Sequence, residues 1–205
     1  MGAVRLTLTA LLLLCLPASQ GSADPLITKT YAYFTVGGLT GADLERELSK
    51  HGPVLSKSGI RHPGATRIKL GGSVKYKNAG GKCRVVAATV KLETHLTLPR
   101  WKNRSKADRQ TVLIWDTLSS DIKRHEERHA EIARQYARKL EKALEALRPE
   151  PTCKLMEARA SQTSKSIIDK HAADQERYDR VEAASFERRM LRMLRFKVEK
   201  LRSGG

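Results

Sequence analysis

DRQTVLIWDTLSSDIKRHEERHAEIARQYARKLEKALEAL, residues 108–147, contains neither Pro nor Gly. Leu118, Ile122, Ile132, Ala133, Tyr136, Leu140, Leu144 and Leu147 recur through it at helical spacing, marking one buried face. His125 and His129 fall on that same face. Pro149-Glu150-Pro151 ends the run and Thr152 offers a new N-cap. Residues 155–201 are again free of helix breakers and become increasingly basic. Two long helices across so short a break predict an antiparallel helical hairpin.

Upstream the texture changes. Ile27–Val36 (ITKTYAYFTV) is β-branched and aromatic and stops at Gly37-Gly38, as a strand does. Thr40 caps a short helix with Leu44 and Leu48 at i, i+4, closed by Gly52-Pro53. Residues 51–64 read as loop. Residues 66–76 alternate around Ile68, Leu70, Val74 and Tyr76, with a bend or bulge at Gly71-Gly72. Asn78-Ala79-Gly80-Gly81 is a turn, and residues 83–98 form a long strand with Val85, Ala87 and Thr89 on one side, ended by Pro99-Arg100-Trp101. The fold class is therefore α+β: a small antiparallel sheet with a short helix, followed by the long helical hairpin.

The chain's 205 residues suit one domain with an appendage. An apolar fraction of 40% excludes a fully disordered chain, and 3 Cys exclude a disulfide-built miniprotein. Residues 1–23 read as a secretory signal peptide: Arg5 is the basic region, Leu6–Leu16 the apolar core, and Gly21-Ser22-Ala23 the cleavage site. A lipoprotein signal at Cys15 is disfavoured because Leu14 is not small. The expected location is periplasmic or secreted. There, Cys83 and Cys153 are most simply one disulfide, closing a loop of about 70 residues and contributing about 4 kcal/mol. Residues 24–182 then form the folded domain and 183–205 a basic helical C-terminal extension.

With 39 Lys+Arg against 22 Asp+Glu, the formal charge is +17, which implies affinity for anionic surfaces of the cell envelope. Aromatics are only 5%, too few to stack bases, so no specific nucleic-acid partner is expected. Oligomeric state is not legible.

The chemistry lies in His125-Glu126-Glu127-Arg128-His129. His-Glu-x-x-His on a helix sets two imidazoles on one face, where both can bind one zinc ion. Glu126 then projects toward the remaining coordination position and serves as general base for zinc-activated water. The plain alternative is a pair of core-edge histidines on a helix laced with Glu127–Glu131 and Arg124–Arg128 charges. Glu127 and Arg128 are unusual between such ligands, where uncharged residues are the rule.

These residues give the chain a resemblance. From Tyr33-Phe34-Thr35-Val36-Gly37-Gly38-Leu39-Thr40 to about Asp179 it resembles the bacterial domain-of-unknown-function 922 family of predicted secreted zinc-dependent proteases. The shared elements include Gly52-Pro53, Cys83-Arg84-Val85, Thr97-Leu98-Pro99-Arg100-Trp101, the His125–His129 motif, Cys153, His171 and Tyr178-Asp179. The resemblance implies a compact zincin-like domain with metallopeptidase activity. Where relatives follow Tyr-Asp with Thr-x-His-Gly, this chain has Glu182, Ala184 and Ser185.

The third zinc ligand follows from the hairpin. A turn centred on Glu150 sets His129 opposite His171, which ranks first; Asp179 and Asp174 are the alternatives, with Glu176 at the same level. His95 lies on the long strand within possible approach, whereas His51 and His62 read as solvated loop residues. The strand 83–98 is expected to be an exposed edge above the metal helix, able to bind a peptide by strand addition. Tyr178 or Tyr136 is then a candidate donor to the oxyanion. The favoured function is a zinc metallopeptidase acting on peptides or proteins; the rival is a non-catalytic envelope protein that binds a metal or partner on the same scaffold.

Overall fold

The structure, a computed structural model, describes residues 25–54 and 59–203. The signal-peptide reading of residues 1–23 lies outside them. The elements are β1 (Leu26–Val36), α1 (Gly41–His51), β2 (Ala65–Ala79), β3 (Lys82–Trp101), a short 3-10 turn (Arg104–Lys106), α2 (Arg109–Glu145) and α3 (Cys153–Ser203). The class is α+β, with a small three-stranded sheet and two long helices.

Local chemistry explains the boundaries. Thr40 and Asp43 form a capping box at the start of α1. Asp108 caps α2 by accepting from Thr111 N, and Thr152 caps α3 by accepting from Leu155 N. Gly80 and Gly81, both with positive φ, make the two-residue turn that joins β2 to β3, a conformation that favours glycine.

The sheet corrects one expectation. It is mixed rather than antiparallel, in the order β1-β3-β2. β2 and β3 form the expected hairpin, but β1 pairs with β3 in parallel. β3 inserts between the other two strands, and β1 runs opposite to β2, so it must run with β3. A second correction follows: β3 is the central strand, and from Lys91 onward, beside the metal helix, it has β1 on one side and β2 on the other and is no peptide-binding edge. The edges are β1 and β2. Alternation on β3 also slips at a bulge opposite Lys75/Tyr76, which leaves Val86 without a partner in the ladder. The buried side therefore reads Cys83, then Ala88, Val90, Leu92, Thr94, Leu96 and Leu98, not Ala87 and Thr89.

Two clusters form the core. Ala88, Val90 and Leu92 of β3 pack on Ile132, Ala133, Tyr136, Ala137, Leu140 and Leu144 of α2, with Ala160 and Ile167 of α3 behind them. Val36, Leu44, Leu48, Trp101 and Trp115 form the second, where the two indoles lie 5.6 Å apart. Cys83 and Cys153 are disulfide-bonded, with Cα atoms 4.9 Å apart. Glu150 also pairs with Cys83 through two backbone hydrogen bonds of 2.8 and 2.9 Å. The link between α2 and α3 is thus an extended stretch held to the sheet, not a tight turn. α3 runs without a break through residues 182 and 183, where the sequence suggests an extension beginning. No described helix is long and apolar enough to cross a membrane, and the disulfide is consistent with an extracytoplasmic protein.

Candidate metal centre

α2 and the middle of α3 build the centre. His125 and His129, one turn apart on α2, bring their Nε2 atoms to 3.0 Å from each other. Asp179 of α3 sets its Oδ1 2.9 Å from His129 Nε2 and 3.3 Å from His125 Nε2. A tetrahedral shell with bonds of about 2 Å spaces its ligand atoms about 3.3 Å apart. The three donors therefore stand close to the edges of one coordination shell, and two imidazoles with a carboxylate are a donor set that suits zinc. Partial burial pushes the Asp179 carboxyl up, but hydrogen bonds to His125 and His129 outweigh it and hold the group below the usual carboxylate range. Burial pulls the His129 imidazole down, while Asp179 and Gln175 reverse the sign, so its pKa is raised.

His171, ranked first from sequence, is not in this cluster. Its ring packs edge-on against Tyr136 at 5.4 Å, and its Nε2 meets Gln175 Nε2 at 2.8 Å. The reason is the hairpin geometry: the extended link shifts α3, so His129 faces Gln175 and Asp179, one and two turns beyond residue 171. Asp174 is also engaged elsewhere, accepting from the Tyr136 hydroxyl at 2.6 Å and from Arg177 at 3.1 Å. Tyr136 is therefore held in the helix interface. Tyr178 stacks on His125 with centroids 5.0 Å apart, and its hydroxyl accepts from Arg124 at 3.1 Å. His95 is away from the centre, paired with Thr30 Oγ1 at 2.9 Å, and His51 lies exposed near Glu47.

Glu126 sits beside the histidines with only 6% of its surface exposed. Thr66 of β2 donates to its Oε2 at 2.8 Å. Burial pushes its carboxyl up, the Thr66 hydrogen bond opposes this, and the net shift is upward. Gly64 allows the close approach, since a Cβ there would stand 2.8 Å from Ile122 Cγ2 and 2.9 Å from Glu126 Oε1. Glu127, the unusual charge inside the motif, has a structural partner: it accepts from Lys29 Nζ at 2.7 Å and from the Tyr31 hydroxyl, tying α2 to β1.

A cavity of about 520 Å³ opens onto the centre. His62, Pro63, Gly64, Ala65 and Thr66 line one wall, and Ala183 and Phe186 of α3 line another. His62, read from sequence as solvated, has its Nε2 buried without a hydrogen-bond partner among the described residues. One end of the cavity is closed by an ion network. Arg189 spans Asp121 with contacts of 2.8 and 3.0 Å, Arg124 donates to Asp121 at 2.9 Å, and Glu182 accepts from Arg124 and lies 3.3 Å from Arg189. Gln175, Thr66, His62 and this network escape a reading of the sequence. Gln175 alone leaves a trace, as the middle of a three-residue stripe at i, i+4, i+8 spacing, His171–Gln175–Asp179.

Fold and site together define an α+β protein whose helical hairpin carries a His-His-Asp centre beside a buried glutamate. The chain belongs to the DUF922 family, described as bacterial protein of unknown function, whose profile matches residues 31–186. That span includes every residue of the centre. No curated protein and no solved structure matches the chain.

Proposed function

We propose that the chain is an extracytoplasmic zinc metallopeptidase on a zincin-like scaffold, with His125, His129 and Asp179 holding the metal and Glu126 as general base. The observation that carries the proposal is the meeting of three zinc-type donor atoms beside a buried carboxylate, at the mouth of a cavity large enough for a peptide side chain. Zinc bound there supplies a Lewis acid and lowers the pKa of a bound water to about 7. Glu126 does the proton work. Thr66 occupies its Oε2, leaving Oε1 to take a proton from the attacking water and deliver it to the leaving amine. Burial raises its pKa, which strengthens it as a base.

Substrate is placed by β2 rather than by β3. β2 is an edge strand, and its beginning lines the cavity next to Glu126. An extended peptide added there forms main-chain hydrogen bonds along the edge and presents a side chain to the cavity between Ile122, Ala183 and Phe186. The Tyr178 hydroxyl is already tied to Arg124, and His62 keeps its Nε2 buried in the cavity wall without a hydrogen-bond partner among the described residues.

A second reading has its own support. Asp179 contacts both imidazoles directly, and such a His–Asp–His cluster can also persist as an ionic interaction in a binding protein. Glu126→Gln separates the two. Wild type and variant should each hold about one zinc per chain, while cleavage of a broad peptide library should fall at least about a hundredfold in the variant. Equal, negligible cleavage by both zinc-loaded proteins would move the assignment to a binding module.

A further inference from the structure

The sheet has one face packed on the helices and one face bare. On β2, Ile68, Leu70, Val74 and Tyr76 pack inward, and the residues between them are exposed. The register sets Arg67 opposite His95, Lys69 opposite Glu93, Gly71 opposite Lys91, Ser73 opposite Thr89, Lys75 opposite Ala87 and Lys77 opposite Arg84. The outer face of this ladder therefore presents Arg67, Lys69, Lys75, Lys77, Arg84 and Lys91, with Glu93 as its single acid. Lys69 lies 3.8 Å from Glu93. Among the described residues the other five have no carboxylate partner. On α3 four cations are paired, Arg159 with Glu150, Lys165 with Asp169, Arg177 with Asp174 and Arg189 with Asp121, whereas Arg188, Arg192 and Arg195 are exposed along one helix rather than spread over a plane.

We infer that the outer face of the β2–β3 ladder is a docking surface for an anionic lipid bilayer. The cations are spread in two dimensions, roughly 7 Å apart along each strand and about 5 Å between strands, over a ladder some 34 Å long. An array on one sheet face complements a planar anionic surface, where each lysine or arginine contributes roughly fivefold in affinity. It suits a nucleic acid less well, because no Phe, Tyr or Trp of the ladder faces outward to stack a base. Thr66 and Ile68 line the cavity from the opposite side of the same strand, so a bilayer bound through Arg67 and Lys69 leaves the metal centre open. The inference is independent of the metallopeptidase reading.

Sedimentation of the purified exported protein with vesicles tests it. Binding should be strong to phosphatidylglycerol–phosphatidylcholine vesicles, absent with phosphatidylcholine alone, and lost as salt rises to about 0.5 M. Lys75→Glu/Lys77→Glu/Lys91→Glu should weaken binding by at least about fiftyfold. The milder Lys→Gln set should weaken it by at least about tenfold at an unchanged melting temperature, which guards against loss of fold. A helix control, Arg188→Glu/Arg192→Glu/Arg195→Glu, should stay within about threefold of wild type, since these exposed side chains lie off the sheet. A helix control that loses as much as the sheet variants would overturn the proposal. So would vesicle binding indifferent to the sheet substitutions, or affinity for a single-stranded oligonucleotide equal to that for the anionic vesicles.

Discussion

The two halves of the α2–α3 hairpin are built on opposite principles. Away from the centre, Ile132, Ala133, Tyr136, Ala137, Leu140 and Leu144 of α2 share an apolar core with Ala160 and Ile167 of α3 and with β3. Toward the other end, Asp121, Arg124, His125 and His129 meet Gln175, Tyr178, Asp179, Glu182 and Arg189, and scarcely an aliphatic side chain lies between the helices. Apolar burial is non-directional and contributes about 2 kcal/mol per large side chain. Charged contacts give little net stability but fix atoms in place. One half therefore holds the helices together, and the other uses that rigidity to hold ionisable groups a few ångströms apart. Perturbations should separate along the same line.

The largest effect belongs to the staple beneath the apolar half. Reducing Cys83–Cys153, which closes a separation of 70 residues, should cost about 4 kcal/mol in denaturant unfolding. The protein that remains folded should bind metal as before, because the disulfide lies at the far end of the hairpin from His125. A reduced protein of unchanged stability, or one that loses the metal while still folded, would break the division.

Next comes the ion network. Asp121 is 3% exposed, and both of its oxygens accept from Arg189, whose side chain is 12% exposed. Asp121→Asn removes one partner of a buried pair and should destabilise by about 3 kcal/mol. Burial pushes the Asp121 carboxyl up, but hydrogen bonds from Arg189 and Arg124 bring its pKa below the ordinary value. A folded-state pKa below that of the unfolded chain gives stability that is present above about pH 4 and lost as pH falls through the folded value. Unfolding midpoints measured from pH 2.5 to 7 should therefore fall more steeply below pH 4 in wild type than in the variant. Parallel curves would show that the network adds no pH-dependent stability.

What the sequence discloses follows the range of each interaction. The α1 cap, the start of α2 at Asp108, the Gly80-Gly81 turn and the Cys83–Cys153 pair are legible because neighbouring residues, or a simple count of thiols, decide them. The parallel pairing of β1 is not, since nothing in ITKTYAYFTV distinguishes the next strand in sequence from the one after it. The same blindness makes β3 look like an edge, because alternation reports burial of one face and says nothing about hydrogen bonds on either side. Val86 shows a finer limit: a single bulge moves Ala87 and Thr89 off the buried side without changing the composition of the strand. At the centre, the spacing of His125, Glu126 and His129 is local and survives, whereas the third donor depends on where the hairpin turns. Glu150 is held to Cys83 by backbone hydrogen bonds instead of forming the apex, so a symmetric pairing about residue 150 sets His171 opposite His129, where the structure has Gln175, with Asp179 one turn further on.

The smallest effect tests that last point. Gln175 Nε2 donates to the His129 carbonyl at 3.1 Å, which fixes the orientation of the amide, since a flipped group would set oxygen against oxygen. Its Oε1 then faces His129 Nδ1 and can only accept, so His129 carries a proton on Nδ1, and the Nε2 that meets Asp179 is the nitrogen it would free for a metal. The same Nε2 reaches His171 Nε2, which must therefore accept, with the His171 proton on Nδ1. Burial lowers the His171 pKa and favours that neutral form. His171 is thus the last member of a chain that ends at His129 Nε2, and its influence on the proposed metal should weaken with each step. Gln175→Leu should reduce zinc affinity ten- to a hundredfold in a competitive chelator titration, as loss of a hydrogen bond orienting a ligand does. His171→Ala should change it by less than about threefold, because Gln175 keeps both of its bonds to His129. If His171→Ala instead strips the metal as completely as His129→Ala, the third ligand is His171. The upper half of the hairpin would then rearrange on binding, by one or two helical turns, to bring it in.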